Sequence, residues 1–307
     1  MEVGIFIPTA GKGATAESLR AIAEAAEAWG FDSVWTADHV LLPVEINTPY
    51  PYAPQYPFKG ESVYMESATA LTYIAGFTRR IKLAFGACIL PYREPVLHAK
   101  VLSTLDVLSG GRVILGAGVG WMREEFEALH MRFEDRGRRA DEHIQVLRAL
   151  WTQEDPSFEG EFYHVRGVRF APKPVRGTIP ILIGGHSRPA RRRAGRLGDG
   201  WHTAYLPPDQ IKAGWEEIRQ TAMAAGRNPD ALQLTCRVAA GPPFGLGGAD
   251  RPELPVAQLR EALRVHRDLG ASHVVLDFGI ARYGSQDILR LMEQTARDIP
   301  SGNPGRP

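Results

Sequence analysis

A unit of three parts recurs along the sequence: an amphipathic stretch, then a glycine, then a short apolar or β-branched run. In the first copy "LRAIAEAAEAWG" precedes "FDSVWTAD", and near the C-terminus "REALRVHRDLG" precedes "ASHVVLDF". Apolar residues of the first copy recur at helical spacing, and Gly30 stands where a left-handed residue ends a helix. This alternation predicts βα units, because parallel strands covered by helices read as continuous apolar runs.

Counting these runs from "VGIFIP" to "HVVLDF" gives eight strands, each followed by a helical segment. Eight βα units in about 250 residues plus insertions match a TIM barrel better than a doubly wound sheet, which usually needs fewer strands. The predicted fold class is therefore α/β, a (β/α)8 TIM barrel with insertions at its C-terminal face. We expect a single domain over residues 1–299 and a disordered tail over 300–307, because "SGNPGRP" has no apolar content.

Three stretches rich in proline and aromatic residues interrupt the repeats, at 42–63, 154–178 and 241–255. The first and the last follow predicted strands. In a barrel they therefore overhang the C-terminal face, where TIM-barrel active sites are built. We predict that these two insertions form lids.

Composition narrows the class of partner. The 307 residues carry 36 basic and 35 acidic side chains, and a formal net charge of +1 gives no indication of a nucleic-acid-binding surface. Cys88 and Cys236 are the only cysteines, and both lie in apolar stretches, which favours a reduced compartment over a disulfide scaffold. No stretch approaches the roughly 18 apolar residues that span a membrane, and "MEVGIFIPTA" lacks signal-peptide character. We expect a cytoplasmic protein with a small-molecule partner.

Asp38 and His39 directly follow the predicted strand "SVWTA", which places both side chains at the C-terminal rim of the barrel. A histidine is often a packed, partly buried residue, and an aspartate often caps a loop, so the residue types alone do not decide. Their position at the rim favours a catalytic role.

The stretch "RVILGAGVGW" sets Gly116, Gly118 and Gly120 after another predicted strand. A dinucleotide-binding fingerprint would need its third glycine where Trp121 stands, so a Rossmann phosphate loop is disfavoured. These glycines suit a tight turn and a close ligand approach equally well. The same two interpretations apply to Gly86 and Ala87, the small residues that end the strand "IKLAFGA".

A more specific signal is "PILIGGHS", in which Gly184 and Gly185 end a strand while His186 and Ser187 open a helix. Exposed N–H groups at a helix start bind anions, so this turn predicts a phosphate site. Arginines follow on the helix, where most charge runs form solvated faces, although one or two near its start would reinforce a phosphate or carboxylate. They are Arg188, Arg191, Arg192, Arg193 and Arg196.

Two reaction classes are disfavoured by missing motifs. The nine histidines include no H-x-H and no H-E-x-x-H, so we predict no metal site of a barrel hydrolase. The chain also lacks a G-x-S-x-G elbow, the mark of a serine nucleophile in α/β-hydrolases.

Several stretches together closely resemble the bacterial luciferase-like monooxygenase superfamily. They are "TADHVLLP", "LDVLSGGRVILGAGVGWMREEFEALH", "RRADEHIQVLRALW", "FEGEFYHVRGVRFAPKPV" and "ILIGGHSRPARRRAGRLGDGW". Within the superfamily they look like the branch that uses coenzyme F420, a deazaflavin, although enzymes that use flavin mononucleotide (FMN) share most of these motifs. The resemblance runs from the first strand to about Tyr205 and continues more weakly beyond it.

The resemblance implies a dimeric TIM barrel with the flavin at its C-terminal mouth. It places Asp38 and His39 near the ring, with His39 exchanging the substrate proton and Asp38 orienting it. It also implies a non-prolyl cis peptide between Gly86 and Ala87, forming a bulge behind the ring. The matching cofactor-binding positions are a loop along the ring, Gly118, Val119 and Gly120, and the phosphate turn, Gly184, Gly185, His186 and Ser187.

The resemblance implies an F420-dependent oxidoreductase that moves a hydride between C5 of the ring and a small organic substrate. The first alternative is an FMN-dependent monooxygenase, which needs a separate reductase; the second is a barrel that binds the ring without catalysis. Sugar-phosphate dehydrogenases of the F420 branch carry a glutamate where this chain has Trp121, which argues against that particular activity. Five aromatic residues predict an apolar wall of the substrate pocket, although core packing or a dimer contact explains them about equally well. They are Trp121, Tyr50, Tyr52, Tyr56 and Phe58.

Overall fold

Eight parallel strands close into a barrel in a computed structural model that describes residues 1–58, 62–240, 256–279 and 283–297. Around the barrel the strands run in the order β1, β10, β9, β8, β7, β4, β3, β2. Their bounds are β1 Glu2–Phe6, β2 Ser33–Thr36, β3 Lys82–Ile89, β4 Val113–Gly118, β7 Ile181–Gly184, β8 Gly200–Ala204, β9 Gln233–Ala239 and β10 His273–Asp277. The predicted (β/α)8 TIM barrel is confirmed.

Helices return the chain from each barrel strand to the next. Their bounds are α1 Ala16–Ala28, α2 Ser67–Ala75, α3 Pro95–Ser109, α4 Arg123–Ala128, α5 Arg136–Thr152, α6 Arg188–Leu197, α7 Pro208–Ala224, α8 Val256–Asp268 and α9 Ser285–Ala296. The glycines that follow α1, α3 and α8 have φ angles of 80°, 73° and 85° at Gly30, Gly110 and Gly270. Only a residue without a β carbon adopts this conformation readily, which is why these three units contain a glycine there.

The insertions differ in form. Residues 154–178 contain a small antiparallel hairpin of β5 (Phe158–Glu159) and β6 (His164–Val165). The described residues of 42–63 form no regular helix or strand, and several of their aromatic side chains line the barrel mouth. The predicted lid at 241–255 and the predicted tail at 300–307 lie outside the described residues. No helix within the described ranges is long and apolar enough to cross a membrane.

The barrel interior is filled at its N-terminal end and hollow at its C-terminal end. Near the N-terminal end, Trp35 Nε1 donates to Ser33 Oγ, which is 2.7 Å from His273 Nε2. Further along the strands, the inward positions of β3, β4 and β7 are glycines, at Gly86, Gly118 and Gly184. These missing side chains leave a cavity on that side of the barrel mouth.

Candidate active site

A cavity of about 410 Å³ lies at the C-terminal mouth of the barrel. The residues that the resemblance implied as catalytic or cofactor-binding line it, as does the predicted aromatic wall. They are Asp38, His39, Tyr50, Tyr52, Tyr56, Phe58, Gly86, Ala87, Gly118, Val119, Gly120, Trp121, Gly184, Gly185, His186 and Ser187. Their convergence follows from topology, because the C-terminal ends of all eight parallel strands meet at one rim.

The floor of this cavity contains a cis peptide bond between Gly86 and Ala87, at the position that the resemblance implied. The pairing of β3 with β4 shifts register at the same point, between Phe85 and Cys88. The methyl group of Ala87 projects toward two glycines of the next two strands of the barrel, Gly118 of β4 and Gly184 of β7. A β carbon added at Gly184 would lie 3.2 Å from the Ala87 β carbon, and one added at Gly118 would lie 3.5 Å away. These glycines therefore make room for Ala87.

His39 is held by a carboxylate that sequence reasoning missed. Its Nδ1 lies 2.5 Å from Oε2 of Glu125, a residue of α4 whose side chain is fully buried. The backbone N–H groups of Val40 and Leu41 donate to Oε1 at 2.7 and 3.3 Å, and the hydroxyl of Tyr92 donates to Oε2 at 2.9 Å. Because a carboxylate surrounded by donors acts as the acceptor, we assign the hydrogen to Nδ1. Nε2 of His39 is then the nitrogen left for the cavity.

Among the described residues, Asp38 makes no hydrogen bond to His39, the contact through which we expected it to orient the ring. Asp38 instead accepts a two-pronged ion pair from Arg93, with N–O distances of 2.7 and 2.8 Å. It also accepts from the backbone N–H of Ile89 at 2.7 Å and from the hydroxyl of Ser67 at 3.1 Å. Burial by itself raises the pKa of Asp38, but the Arg93 guanidinium and these donors outweigh it and hold the pKa below its usual range. Asp38 therefore ties the end of β2 to the end of β3.

The predicted anion turn begins α6. Ser187 is the N-cap, and its Oγ accepts from the backbone N–H of Ala190 at 3.3 Å. Gly185 has a φ angle of 105°, which lets the chain turn sharply into the helix. Nε2 of His186 lies 3.2 Å from the backbone N–H of Ala204, and burial lowers the pKa of His186 to about 4. The ring is therefore neutral at neutral pH and accepts this hydrogen bond.

The arginines of α6 divide into two groups. Arg191 binds Glu217 and the carbonyl oxygen of His186. Arg193 is buried and binds Asp141. The other three are exposed and line a separate depression of about 290 Å³: Arg188, Arg192 and Arg196. The expectation that most of these arginines form a solvated face thus holds for three of the five.

The aromatic side chains of 42–58 form a wall with Trp121 and His39. The ring of Trp121 lies 5.0 Å from that of Tyr50 and 5.2 Å from that of Tyr56, and Tyr56 lies 5.4 Å from His39. Glu124 fixes this segment by accepting from the backbone N–H groups of Asn47 and Thr48 at 2.7 and 2.9 Å. Burial raises the pKa of the wall tyrosines, so their hydroxyl groups stay neutral.

The cavity is also lined by one member of a buried ion pair that sequence reasoning missed. Arg237 lines the cavity and binds Asp277, which also accepts from the hydroxyl of Tyr205. The guanidinium lies 3.3 Å from the ring centre of Phe6. The available signal was a charged residue inside each apolar strand, "LQLTCRV" and "HVVLDF". Because arginine and aspartate compensate each other, this wall presents little net charge.

His202, on β8, forms part of the floor and is 4% exposed. Its ring stacks on Trp35, with ring centres 4.6 Å apart and planes 9° from parallel. Burial, helped by the nearby positive charge of Arg237, lowers the pKa of His202 to about 3. The sequence motif "WHTAY" gave no reason to single this residue out.

The fold and the site define a class: a TIM-barrel protein with a ligand cavity at its C-terminal mouth and a histidine–carboxylate pair in the cavity wall. Within that class the chain belongs to the luciferase-like monooxygenase family, whose model matches residues 1–242.

Individual relatives cover about two thirds of the chain. An uncharacterised protein of Mycobacterium tuberculosis is 35% identical over 208 residues, which is 67% of this chain and 72% of the relative. The FMNH2-dependent dimethylsulfone monooxygenase of Pseudomonas fluorescens is 34% identical over 209 residues, which is 67% of this chain and 52% of the relative.

Two solved structures have the same fold over nearly the whole chain. The monooxygenase RslO1 from Streptomyces bottropensis has a TM-score of 0.77 at 23% identity, covering 97% of this chain and 98% of its own. An F420-dependent secondary alcohol dehydrogenase, solved with an F420–acetone adduct, has a TM-score of 0.75 at 16% identity, covering 96% and 98%. At these identities the likeness is one of fold.

Proposed function

We propose that this protein is an F420-dependent oxidoreductase that transfers a hydride between the deazaflavin ring and a small organic substrate. The observation that carries the proposal is the position of His39. Glu125 fixes this histidine through Nδ1, and its ring lines the same cavity as the Gly86–Ala87 floor and the Ser187 helix start. A flavin-type cofactor needs all three features together: a flat seat, an anion site and a proton-exchanging group.

The residues present fit such a cofactor. The glycines of β3, β4 and β7 leave a shallow floor on which a flat ring system has room, and the turn from Gly185 to Ser187 brings backbone and the Ser187 hydroxyl to the same cavity, where a phosphate would bind. Within the first turn of α6, Pro189 has no N–H, and the N–H groups of Ala190 and Arg191 already donate to Ser187. On the floor, His202 offers ring nitrogens that have no hydrogen-bond partner among the described residues. When bound, the deazaflavin supplies the hydride chemistry, while the chain positions the ring and manages protons.

His39 is the residue that we assign to proton transfer. Nε2 would donate a proton to the substrate oxygen or nitrogen, or accept one from it, while Glu125 stabilises the charged imidazole through Nδ1. Asp38 acts indirectly, because its bonds to Arg93 and to the backbone of Ile89 fix the end of the strand that carries His39. The aromatic wall of Tyr50, Tyr56 and Trp121 limits the access of water.

The exposed arginines of α6 favour F420 over FMN. FMN ends at its phosphate, whereas F420 continues beyond its phosphate into a tail of glutamate carboxylates. Arg188 directly follows the Ser187 cap, and a guanidinium is well suited to bind a carboxylate.

An FMN-dependent monooxygenase is the second candidate. It is supported by the sequence identity to the FMNH2-dependent enzyme of Pseudomonas fluorescens. That identity is 34%, whereas the identity to the F420-dependent structure is 16%. In that case a separate reductase would have to supply the reduced flavin.

A fluorescence titration of the purified protein with F420 and with FMN separates the two candidates. We expect tighter binding of F420, and a weaker preference for it in the double variant Arg188→Gln, Arg192→Gln. Once a substrate is found, His39→Ala should retain cofactor binding and lower turnover by about 10² to 10⁴-fold. Preferential binding of FMN would replace the proposal with the monooxygenase, and unchanged turnover would remove His39 from its role.

We also propose that the chain forms a homodimer, because the outward face of α3 exposes large apolar side chains such as Leu97 and Leu108.

A further inference from the structure

The floor of the cavity holds a histidine whose hydrogen-bonding capacity the protein does not use. Neither Nδ1 nor Nε2 of His202 has a hydrogen-bond partner among the described residues, although both atoms are buried. Nε2 lies 3.4 Å from the position that a β carbon on Gly86 would occupy. The ring is held there by its stacking on Trp35 and cannot turn to solvent.

An unused polar group inside a barrel is unfavourable, because it has left water without gaining a partner. Most buried polar atoms in proteins avoid this situation. The hydroxyl of Thr235, whose backbone pairs with that of His202, is likewise buried without a partner among the described residues. Two unsatisfied side chains at paired positions of β8 and β9 indicate that a ligand or water completes this level of the barrel.

The ring of His202 is neutral at neutral pH, because burial lowers its pKa to about 3. A neutral imidazole offers one N–H donor and one lone-pair acceptor. The floor residues around it, among them Phe6, Gly86 and Ala87, present no polar side-chain atom. Arg237, the charged neighbour, is already paired with Asp277. His202 is therefore the polar feature that a ligand meets when it reaches the floor at Gly86.

We propose that His202 binds the carbonyl–NH–carbonyl edge of the heterocycle that occupies the cavity. Such an imide edge carries two acceptors and one donor, so it can pair with the ring nitrogen that faces it whether or not that nitrogen bears the hydrogen. Deazaflavins and flavins share this edge, so His202 recognises the ring and leaves the choice between F420 and FMN to other residues. The inference rests on the proposed function to the extent that a ring of this class must bind.

The test compares His202→Phe, His202→Asn and the wild-type protein in fluorescence titrations with F420 and FMN. Phenylalanine keeps an aromatic ring for stacking on Trp35 but removes both polar atoms, whereas asparagine keeps one donor and one acceptor. We expect His202→Phe to weaken binding of the preferred ring by about tenfold, and His202→Asn to retain affinity within about threefold. Thermal unfolding without ligand gives a second readout.

The ligand-free Tm separates a binding role from a structural one. Because no described residue satisfies the His202 nitrogens, His202→Phe should unfold at the same temperature as the wild type or a higher one. A fall in Tm together with lost affinity in both variants would assign a structural role and overturn the inference. Equal affinity of His202→Phe and wild type would also overturn it. If the wild type binds neither ring, the proposed function fails first, and this inference fails with it.

Discussion

At the scale of single residues, the partner of His39 decides what the histidine can do. An adjacent aspartate was the obvious candidate from the sequence, yet Asp38 is saturated by Arg93 and by backbone donors. The carboxylate that contacts His39 is Glu125, 86 residues further along the chain. It also binds the backbone N–H groups of Val40 and Leu41, so it fixes the segment that carries the histidine as well as the ring.

Glu125→Gln should therefore lower turnover by about 10- to 100-fold, since a hydrogen bond to a charged group contributes about 1.5 to 3 kcal/mol. The amide keeps an acceptor for the backbone donors but no longer stabilises a charged imidazole. Glu124→Gln, one residue away, is the control that should keep turnover near the wild-type value, because its amide oxygen can still accept from Asn47 and Thr48. Unchanged turnover in Glu125→Gln would limit Glu125 to a structural role.

At the scale of elements, the glycines of β4 and β7 act through Ala87 and do not need to touch the cofactor. A methyl group at Gly184 would lie 3.2 Å from the Ala87 β carbon, closer than an ordinary contact, and would press the floor upward. We expect Gly184→Ala to fold and to bind the preferred ring about tenfold more weakly. Gly118→Ala, with a separation of 3.5 Å, is the matched control and should bind nearly as well as wild type. Equal loss in both variants, measured by fluorescence titration, would contradict this account.

The sequence predicted elements and their topology well because the signals are local. Glycine after each amphipathic stretch and apolar runs between them define βα units, and barrel topology then brings Asp38, Gly86 and Ser187 to one rim. Partners across the barrel were not predictable in this way. Glu125 sits in "MREEFEALH", which reads as a solvated charged helix. Asp277 meets Arg237 only through the register of β9 with β10.

At the scale of the whole molecule, buried histidines set the response of stability to acid. Burial lowers the pKa of His98 well below its usual value and that of His143 and His202 to about 3. All three stay neutral in the folded chain below the unfolded pKa near 6.5, whereas the unfolded chain takes up protons there. The free energy of unfolding should therefore fall as pH drops from about 6.5 toward 4.5, by up to about 1.4 kcal/mol per pH unit for each histidine.

Urea unfolding at several pH values between about 7 and 5 measures this slope. His143→Gln should reduce the pH dependence of the free energy of unfolding below pH 6 by the equivalent of about one bound proton, because the amide cannot bind a proton in either state. A wild-type stability that is flat over this range would show that the buried rings are protonated in the folded chain.

The last prediction concerns the outward face of α3. Leu97 and Leu108 are each 64% exposed, and Val101 lies between them on the same side of the helix. An exposed helix face is normally polar, and this row of large apolar side chains is the observation on which we propose that another copy of the chain covers α3. Light scattering should therefore give about twice the 33.8 kDa chain mass.

The double variant Leu97→Glu, Leu108→Glu should be monomeric, because association would bury uncompensated charge. Met223→Glu changes an apolar residue that is 54% exposed on α7 and should remain dimeric. A wild type that is monomeric at micromolar concentration would refute the dimer itself. A dimeric double variant would place the interface elsewhere, since two buried carboxylates at the centre of a face cost far more than an apolar contact gains.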